Sequence, residues 1–456
     1  MATSETKMTP MPYSMRLTIL AVIVSEHTLL FMIPTFVAYM MQGFLEKEYT
    51  ADELKSQISY HSGRMEGING MASFVGCLLW GVVSDKIGRK YGMIIVLSGM
   101  IVASLGFGLA PSFEVALFWR CIAGLMAGVV PISKALVQDV SDSTNVAILY
   151  SYLGAGYGVG SILGPLIGGT LAHPEKYSDS LKGTFLEEYP YFLPQFIHSC
   201  IALTAMLMII INVPYKKPTP PKKSANIFDL RHNYNYLISL AVFMLIVVVQ
   251  FGYRISMALW VKVDSKDEGL GWTTEDKAGY MNSASGVLVT AYHLGLVPVF
   301  AKKFGIIKSC ILFIIQLLPV VLLISFTYML DTISMWTLLI IFNALSIVGS
   351  TAFISFISMA VANSVDPAIV GAVMGVTQSV IAFIRGVTIA SFGALFGWSQ
   401  TWDMFFPFDV HFSFLMVAVV LLLNWFVIKM WLDPSVEKRF VAKPEEIPML
   451  EKKQDE

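Results

Sequence analysis

Apolar residues along this chain come in long blocks separated by short polar breaks. Runs of about 20 residues, the length that crosses a bilayer as a helix, lie near 17–41, 64–83, 91–110, 113–137, 145–172 and 191–213. Six more follow near 236–261, 278–300, 306–329, 333–361, 368–396 and 410–432. The blocks predict an all-α integral membrane protein with twelve transmembrane helices. Between the sixth and seventh blocks, Pro214 to Tyr234 reads P-Y-K-K-P-T-P-P-K-K and then D-L-R-H-N-Y, an extended, solvated linker with room for an interfacial segment. The organisation this gives is a tail at 1–16, a six-helix bundle at 17–213, a linker at 214–235, a second six-helix bundle at 236–432 and a tail at 433–456.

Composition supports the membrane reading and excludes others. The chain has 456 residues, 55% of them hydrophobic and 14% charged, with a mean hydropathy of +0.67. Soluble domains carry about 25% charged residues. A net charge of -1 offers no basic face for a nucleic-acid backbone. Cys77, Cys121, Cys200 and Cys310 all fall inside apolar blocks, which argues against disulfides and against a metal site. No nucleophile and base set is visible, so neither an enzyme nor a cofactor is expected. Residues 1–16 are polar and the first block lacks a small-residue cleavage site, which predicts an uncleaved first span. Lys86, Arg89, Lys90, Lys216, Lys217, Lys222, Lys223, Arg231, Lys302, Lys303 and Lys308 gather in loops on one side. By the positive-inside rule both termini are cytoplasmic. The acidic E-E-I-P-M-L at 445–450 reads as solvated tail or as a weak sorting signal, leaving plasma membrane and vacuolar or lysosomal membrane both open.

Four polar features sit where apolar residues are expected. Gly81 to Lys90, G-V-V-S-D-K-I-G-R-K, joins two spans, with Gly81 and Gly88 to turn the backbone and Asp85, Lys86, Arg89 and Lys90 to stay in water. Gly156, Gly160, Gly164 and Gly168 repeat every fourth residue on the fifth span, giving one face where another backbone can approach. Pro165 kinks that span and Gly169 follows. Arg120, Gly124 and Gly128 share a face of the fourth span. Glu26 and His27 lie near mid-membrane on the first. An ionisable group there is costly, so Arg120 and Glu26 should face the interior and find partners. Glu26 is the one carboxylate this reading places deep in a span, which makes it the candidate proton site and Arg120 its candidate partner. For Arg120 a structural strut, for Glu26 a fixed ion pair and for His27 a hydrogen-bonded core position remain open.

The 81–90 turn resembles the loop between the second and third helices of the major facilitator superfamily. The 160–169 run G-S-I-L-G-P-L-I-G-G and the R-x-x-x-G at 120–124 resemble signatures of that superfamily's drug:proton antiporter branch. Further stretches, G-L-G-W-T-T-E-D-K-A-G at 269–279, P-I-S-K-A-L around Lys134, G-P-L-I-G-G-T-L-A-H-P at 164–174 and N-S-V-D-P-A-I-V-G-A-V-M-G at 363–375, resemble zinc-induced facilitator-like and tetracycline-resistance-like transporters. The loop after the eighth span, A-K-K-F-G-I-I-K, lacks the G-R-R of sugar transporters. The resemblance implies two bundles with pseudo-two-fold symmetry and secondary transport by alternating access. It implies proton-coupled antiport or efflux of a small organic solute, drug-like compound or metal chelate by a monomer. The alternative is a non-transporting receptor or scaffold on the same fold.

These implications give specific expectations. The glycine face of the fifth span should pack across the bundle boundary on Ser283, Ala284, Ser285 and Gly286. Asp85 should sit at the start of the eleventh span near Val370 and Gly371 while Arg89 pairs with Asp139, a conformational latch. Tyr253, Arg254, Asn282, His293, Asn343, Gln378 and Arg385 are candidates to line the substrate cavity, with outer-headgroup snorkelling equally open for the two arginines.

Overall fold

The computed structural model describes residues 12–140, 146–215, 227–295, 297–365, 370–401 and 406–437. Among them there is no strand, and long helices fill twelve segments, with a one-turn helix at Phe185–Glu188 and short 3-10 turns between or after them. In the first bundle these are α1 (Tyr13–Leu45), α2 (Ala51–Ile87), α3 (Arg89–Gly108), α4 in two pieces (Phe113–Leu125 and Val129–Val140), α5 (Val146–Thr170) and α6 (Phe192–Asn212). In the second they are α7 (Tyr234–Trp260), α8 (Glu275–Gly295), α9 (Val297–Leu323), α10 (Thr332–Asn363), α11 (Val370–Ser399) and α12 (Phe412–Trp431). Ten of the twelve are long and apolar enough by themselves to cross a membrane; α5 and α8 are the others. Most of the expected linker, both tails and the Lys216, Lys217, Lys222 and Lys223 cluster lie outside the described residues.

Within the first bundle α1 packs along α5, α2 on α4 and α3 on α6; within the second α7 meets α10, α11 and α12, and α9 lies on α10. The bundles touch mainly through α2 on α11 and α5 on α8. Adding six to each helix number exchanges those two pairs, which is the pseudo-two-fold symmetry of the fold.

Helix α2 begins thirteen residues before the apolar block expected at 64. A capping box, Thr50 with Glu53, starts it. Its first turns are rich in Ser, Gly and charge because they pack against α11 instead of lipid: Ser59 Oγ donates to Gln400 Oε1 at 3.0 Å, and a Cβ on Gly63 would come within 2.9 Å of Gly393 Cα. Residues 51–55 are therefore helix, and 46–50 make the turn from α1. At the other end α2 runs through Gly81 to Ile87, so only Gly88, at φ +95°, makes the turn into α3.

Helix α4, expected to be continuous, breaks between Leu125 and Val129. The carbonyls freed there would be unsatisfied in lipid, and α2 meets them. Trp80 Nε1 donates to Leu125 O at 2.9 Å and Cys77 Sγ to Ala127 O at 3.1 Å. Gly128 fits because a Cβ there would lie 2.7 Å from the Trp80 side chain. In the second bundle Val297–Leu323 turns at Gly305, φ +72°. Glu437, beyond α12, accepts the Ile307 amide at 2.8 Å and caps the helix that follows.

Candidate functional site

A cavity of about 760 Å³ lies between the bundles. Its wall takes Glu26 and His27 from α1, Cys77 from α2, Lys134 from α4 and Tyr157 from α5, facing Gln250 and Arg254 from α7, Thr290 from α8, Ser355 from α10 and Gln378 and Arg385 from α11. Most of these residues lie on the halves of their helices nearer the 81–90 turn, with Tyr157 and Arg385 at mid-helix and Gln250 and Arg254 just beyond it, towards the closed end. On the remote half the bundles close on each other.

That closure is tight and polar at its rim. Small residues bring α2 onto α11, with Gly70 against Gly386 and Gly397 against Ser56 O, and α5 onto α8, with Gly169 against Gly279 and Ser161 O against Gly286. Outside them Tyr39 donates to Trp272 O at 3.0 Å, Lys262 donates to Gln42 and Lys55 pairs with Asp267 at 2.5 Å. Glu275 receives Tyr191 at 3.3 Å, with Lys176 at 3.6 Å and His173 at 3.4 Å. Each of these joins the first bundle to the second. Lys262 sits just past α7, and burial pulls its amine down to about 8 from the ordinary 10.5, against the opposing pull of Glu275 and Asp264. A second cluster on the loops there, Glu268, Asp409 and His411, was not anticipated; the His411 Nδ1 lies 2.8 Å from Asp409 and 3.3 Å from Glu268.

Glu26 and Arg120 are not each other's partners. Arg120 Nη2 reaches both oxygens of Glu66, at 2.7 and 2.8 Å, with the pair almost wholly buried. Glu66 escaped the sequence reading because α2 was started at 64. With the helix starting at Ala51, Glu66 is about 22 Å along it and deep in the bundle. Asn69 on the next turn donates to Arg120 O at 2.9 Å, and Gly124 packs on the Asn69 carbonyl. Glu26 forms no ion pair among the described residues, and Arg385, then Arg120, are the cations whose fields reach it. His27 Nδ1 donates to Ile23 O at 2.9 Å, and the ring meets Tyr157 edge-on.

The every-fourth glycines face α1, not α8. A Cβ on Gly156 would strike Ile23, on Gly160 His27, on Gly164 Thr28 O and on Gly168 Thr35. The face turned to the other bundle is the next one round, Gly158, Ser161, Pro165 and Gly169, and Gly286 and Ser283 of α8 do meet it. An i, i+4 repeat defines a face but not the neighbour that covers it.

Of the expected cavity residues, Arg254, Gln378 and Arg385 line the main cavity, so the two arginines point inward. Tyr253, Asn282 and Asn343 instead form a buried chain with Ser285: Tyr253 donates to Asn343 at 3.2 Å, and Asn343 donates to Asn282 and Ser285 at 3.0 Å each. With Arg254 they border a side pocket of about 40 Å³. The side chain of His293 lies outside the described residues. Lys134 and Gln250 were not singled out for the cavity; a lysine inside the block at 113–137 was the available signal. At the 81–90 turn Arg89 pairs with Asp85 on its own helix connection, lies 3.4 Å from Asp139 and donates to Ser84 at 2.8 Å. Lys90 caps the end of α6 at Ile210 O, 2.7 Å. The side chains of 370 and 371 lie outside the described residues, and so does the expected Asp85 contact there.

The chain matches the Major Facilitator Superfamily over residues 27–389. It belongs to that superfamily. Its similarity to the major facilitator-type transporter psiT2 of Psilocybe cyanescens is 34% over 157 residues, covering 34% of this chain and 30% of that one. Over greater lengths it is 24% identical to the efflux pump azaK of Aspergillus niger, with 85% of this chain and 83% of the pump covered. It is also 24% identical to the Arabidopsis thaliana protein zinc induced facilitator-like 1, covering 74% and 77%. A solved D-xylose-proton symporter superposes with a TM-score of 0.70 at 14% identity, over 93% of this chain and 98% of the symporter. This superfamily member is thus a multi-pass membrane transporter and not an enzyme, similar in sequence to efflux pumps and to zinc-induced facilitators.

Proposed function

We propose that the protein is a proton-coupled secondary transporter that exchanges protons for a small organic solute by alternating access. The observation that carries this reading is Glu26: it is the one carboxylate in the wall of the 760 Å³ cavity, a volume suited to a drug-sized solute, and it has no ion-pair partner among the described residues. Water in an open cavity solvates the ionised acid. Closure removes that water and selects the protonated acid, so proton transfer follows the rocking of the bundles. Arg120, held by Glu66, acts on Glu26 only through space, and Arg385 is the stronger influence. His27 is a second acceptor at the cavity wall.

The orientation proposed from loop charge, termini in the cytoplasm, makes the described state open inward. Arg89, Asp85 and Asp139 would then latch the cytoplasmic face in the opposite state, a role tested by cysteine accessibility of the cavity in Asp85→Asn. The relatives named as efflux pumps support export. For the coupling itself the test is Glu26→Gln in proteoliposomes. We expect loss of solute accumulation driven by a pH gradient with solute exchange retained. Accumulation at the normal rate would move the proton to another group.

A further inference from the structure

We propose that the cavity selects an organic anion: a carboxylate-, sulfonate- or phosphate-bearing molecule with an apolar body. This rests on the reading that the cavity is the transport path. Three basic side chains, Lys134, Arg254 and Arg385, line it against one carboxylate, Glu26. None of the three forms an ion pair among the described residues. Among the described residues the only other deep carboxylate near them, Glu66 in the adjoining pocket, is already held by Arg120 on both oxygens. Unpaired cations inside a membrane protein are costly to maintain, and here they converge. Arg254 and Arg385 each lie 5.7 Å from the centre of the same Phe251 ring, and Arg254 stacks on Phe31 at 4.1 Å. Lys134, Cys77 and Arg385 line the same chamber.

They come from α4, α7 and α11, so both bundles supply charge to one chamber. An anion between them bridges the bundles, as a substrate must if its binding is to differ between the two states. The remaining wall is mostly apolar, with Phe243, Val247, Ile354 and Ile381 opposite Leu153. That lining suits a hydrophobic body, and Gln250, Gln378 and Ser355 supply hydrogen bonds to orient it.

The test uses the full-length protein in neutral micelles and two xanthene dyes of similar size and opposite charge, fluorescein and rhodamine 123, with binding followed by fluorescence anisotropy. We expect saturable fluorescein binding and rhodamine 123 binding weaker by about tenfold or more. Lys134→Gln and Arg385→Gln should each weaken fluorescein by about tenfold, with Lys134→Arg close to the parent and all variants eluting as the parent does on gel filtration. The wild-type comparison stands even where a variant fails to fold. Equal or tighter binding of rhodamine 123, absence of saturable fluorescein binding, or fluorescein affinity unchanged in both glutamine variants overturns the proposal. No pH gradient is involved, so a failure of proton coupling leaves this result untouched, and the reverse holds.

Discussion

Arg120→Met should be among the most damaging single substitutions in the first bundle, and its cost follows from the pairing with Glu66. The guanidinium meets both carboxylate oxygens at 2.7 and 2.8 Å, and the two side chains are only 6% and 11% exposed. Removing the arginine strands an ionised carboxylate in the bundle, which costs about 3–5 kcal/mol. The contact with Phe107, 5.7 Å from the guanidinium carbon, adds about 0.5–1 kcal/mol. Glu66→Gln should cost less, since the amide oxygen still accepts from Arg120. The double variant Glu66→Gln with Arg120→Met removes both charges and should recover most of the loss, because an apolar replacement of a buried pair is close to neutral. Backbone geometry at residue 120 is preserved throughout, as Asn69 binds the carbonyl and not the side chain. Equilibrium unfolding of the four proteins in mixed micelles gives the coupling energy. A coupling of about 2 kcal/mol or more is expected, and additive effects within about 0.5 kcal/mol would refute the pairing.

Gly169→Leu and Gly164→Leu should separate two kinds of damage. The first wedges a side chain against Gly279 of the other bundle and should open the remote face while leaving stability near normal. The second drives into Thr28 O of α1 and should cost about 1–3 kcal/mol of stability. Thermal stability and remote-face cysteine accessibility, measured together, tell them apart. Trp80→Phe strips the Leu125 carbonyl of its donor at the α4 break and should lower stability by about 1–3 kcal/mol, read from the same unfolding curves. Lys262 gives a pH prediction. Its amine titrates near 8 in the sealed face against 10.5 when free, so the seal loses stability as pH falls from 10.5 towards 8 and changes no further below. Remote-face accessibility should therefore fall as pH is raised across that window, and Lys262→Met should flatten the dependence.

Much of the architecture was legible because a bilayer imposes one simple length on every span, and twelve apolar blocks met it. Glu26 and Arg120 were legible as interior groups for the same reason, whereas for Arg254 and Arg385 the sequence left snorkelling equally open and the structure turns both inward. What failed was anything that depends on which helix lies alongside. The Gly156 to Gly168 repeat marked a close-packed face correctly yet belongs against α1. The α2 start was missed because residues 51–63 pack on protein and so need not be apolar. That hid Glu66, and with it the true partner of Arg120. Lys134 stood in plain view within an apolar block, but its place in the cavity depends on the break in α4, which side chains of α2 sustain.

The central claim is that the two bundles rock about the cavity, opening the remote face in turn. A disulfide across that face tests it. Ser59 Cβ would lie 3.3 Å from a Cβ on Gly397, so Ser59→Cys with Gly397→Cys, in a background lacking Cys77, Cys121, Cys200 and Cys310, places two thiols within bridging range. With fluorescein efflux from proteoliposomes as the readout, oxidation should stop transport and reductant should restore it. Full transport with the bond formed would contradict alternating access through this cavity.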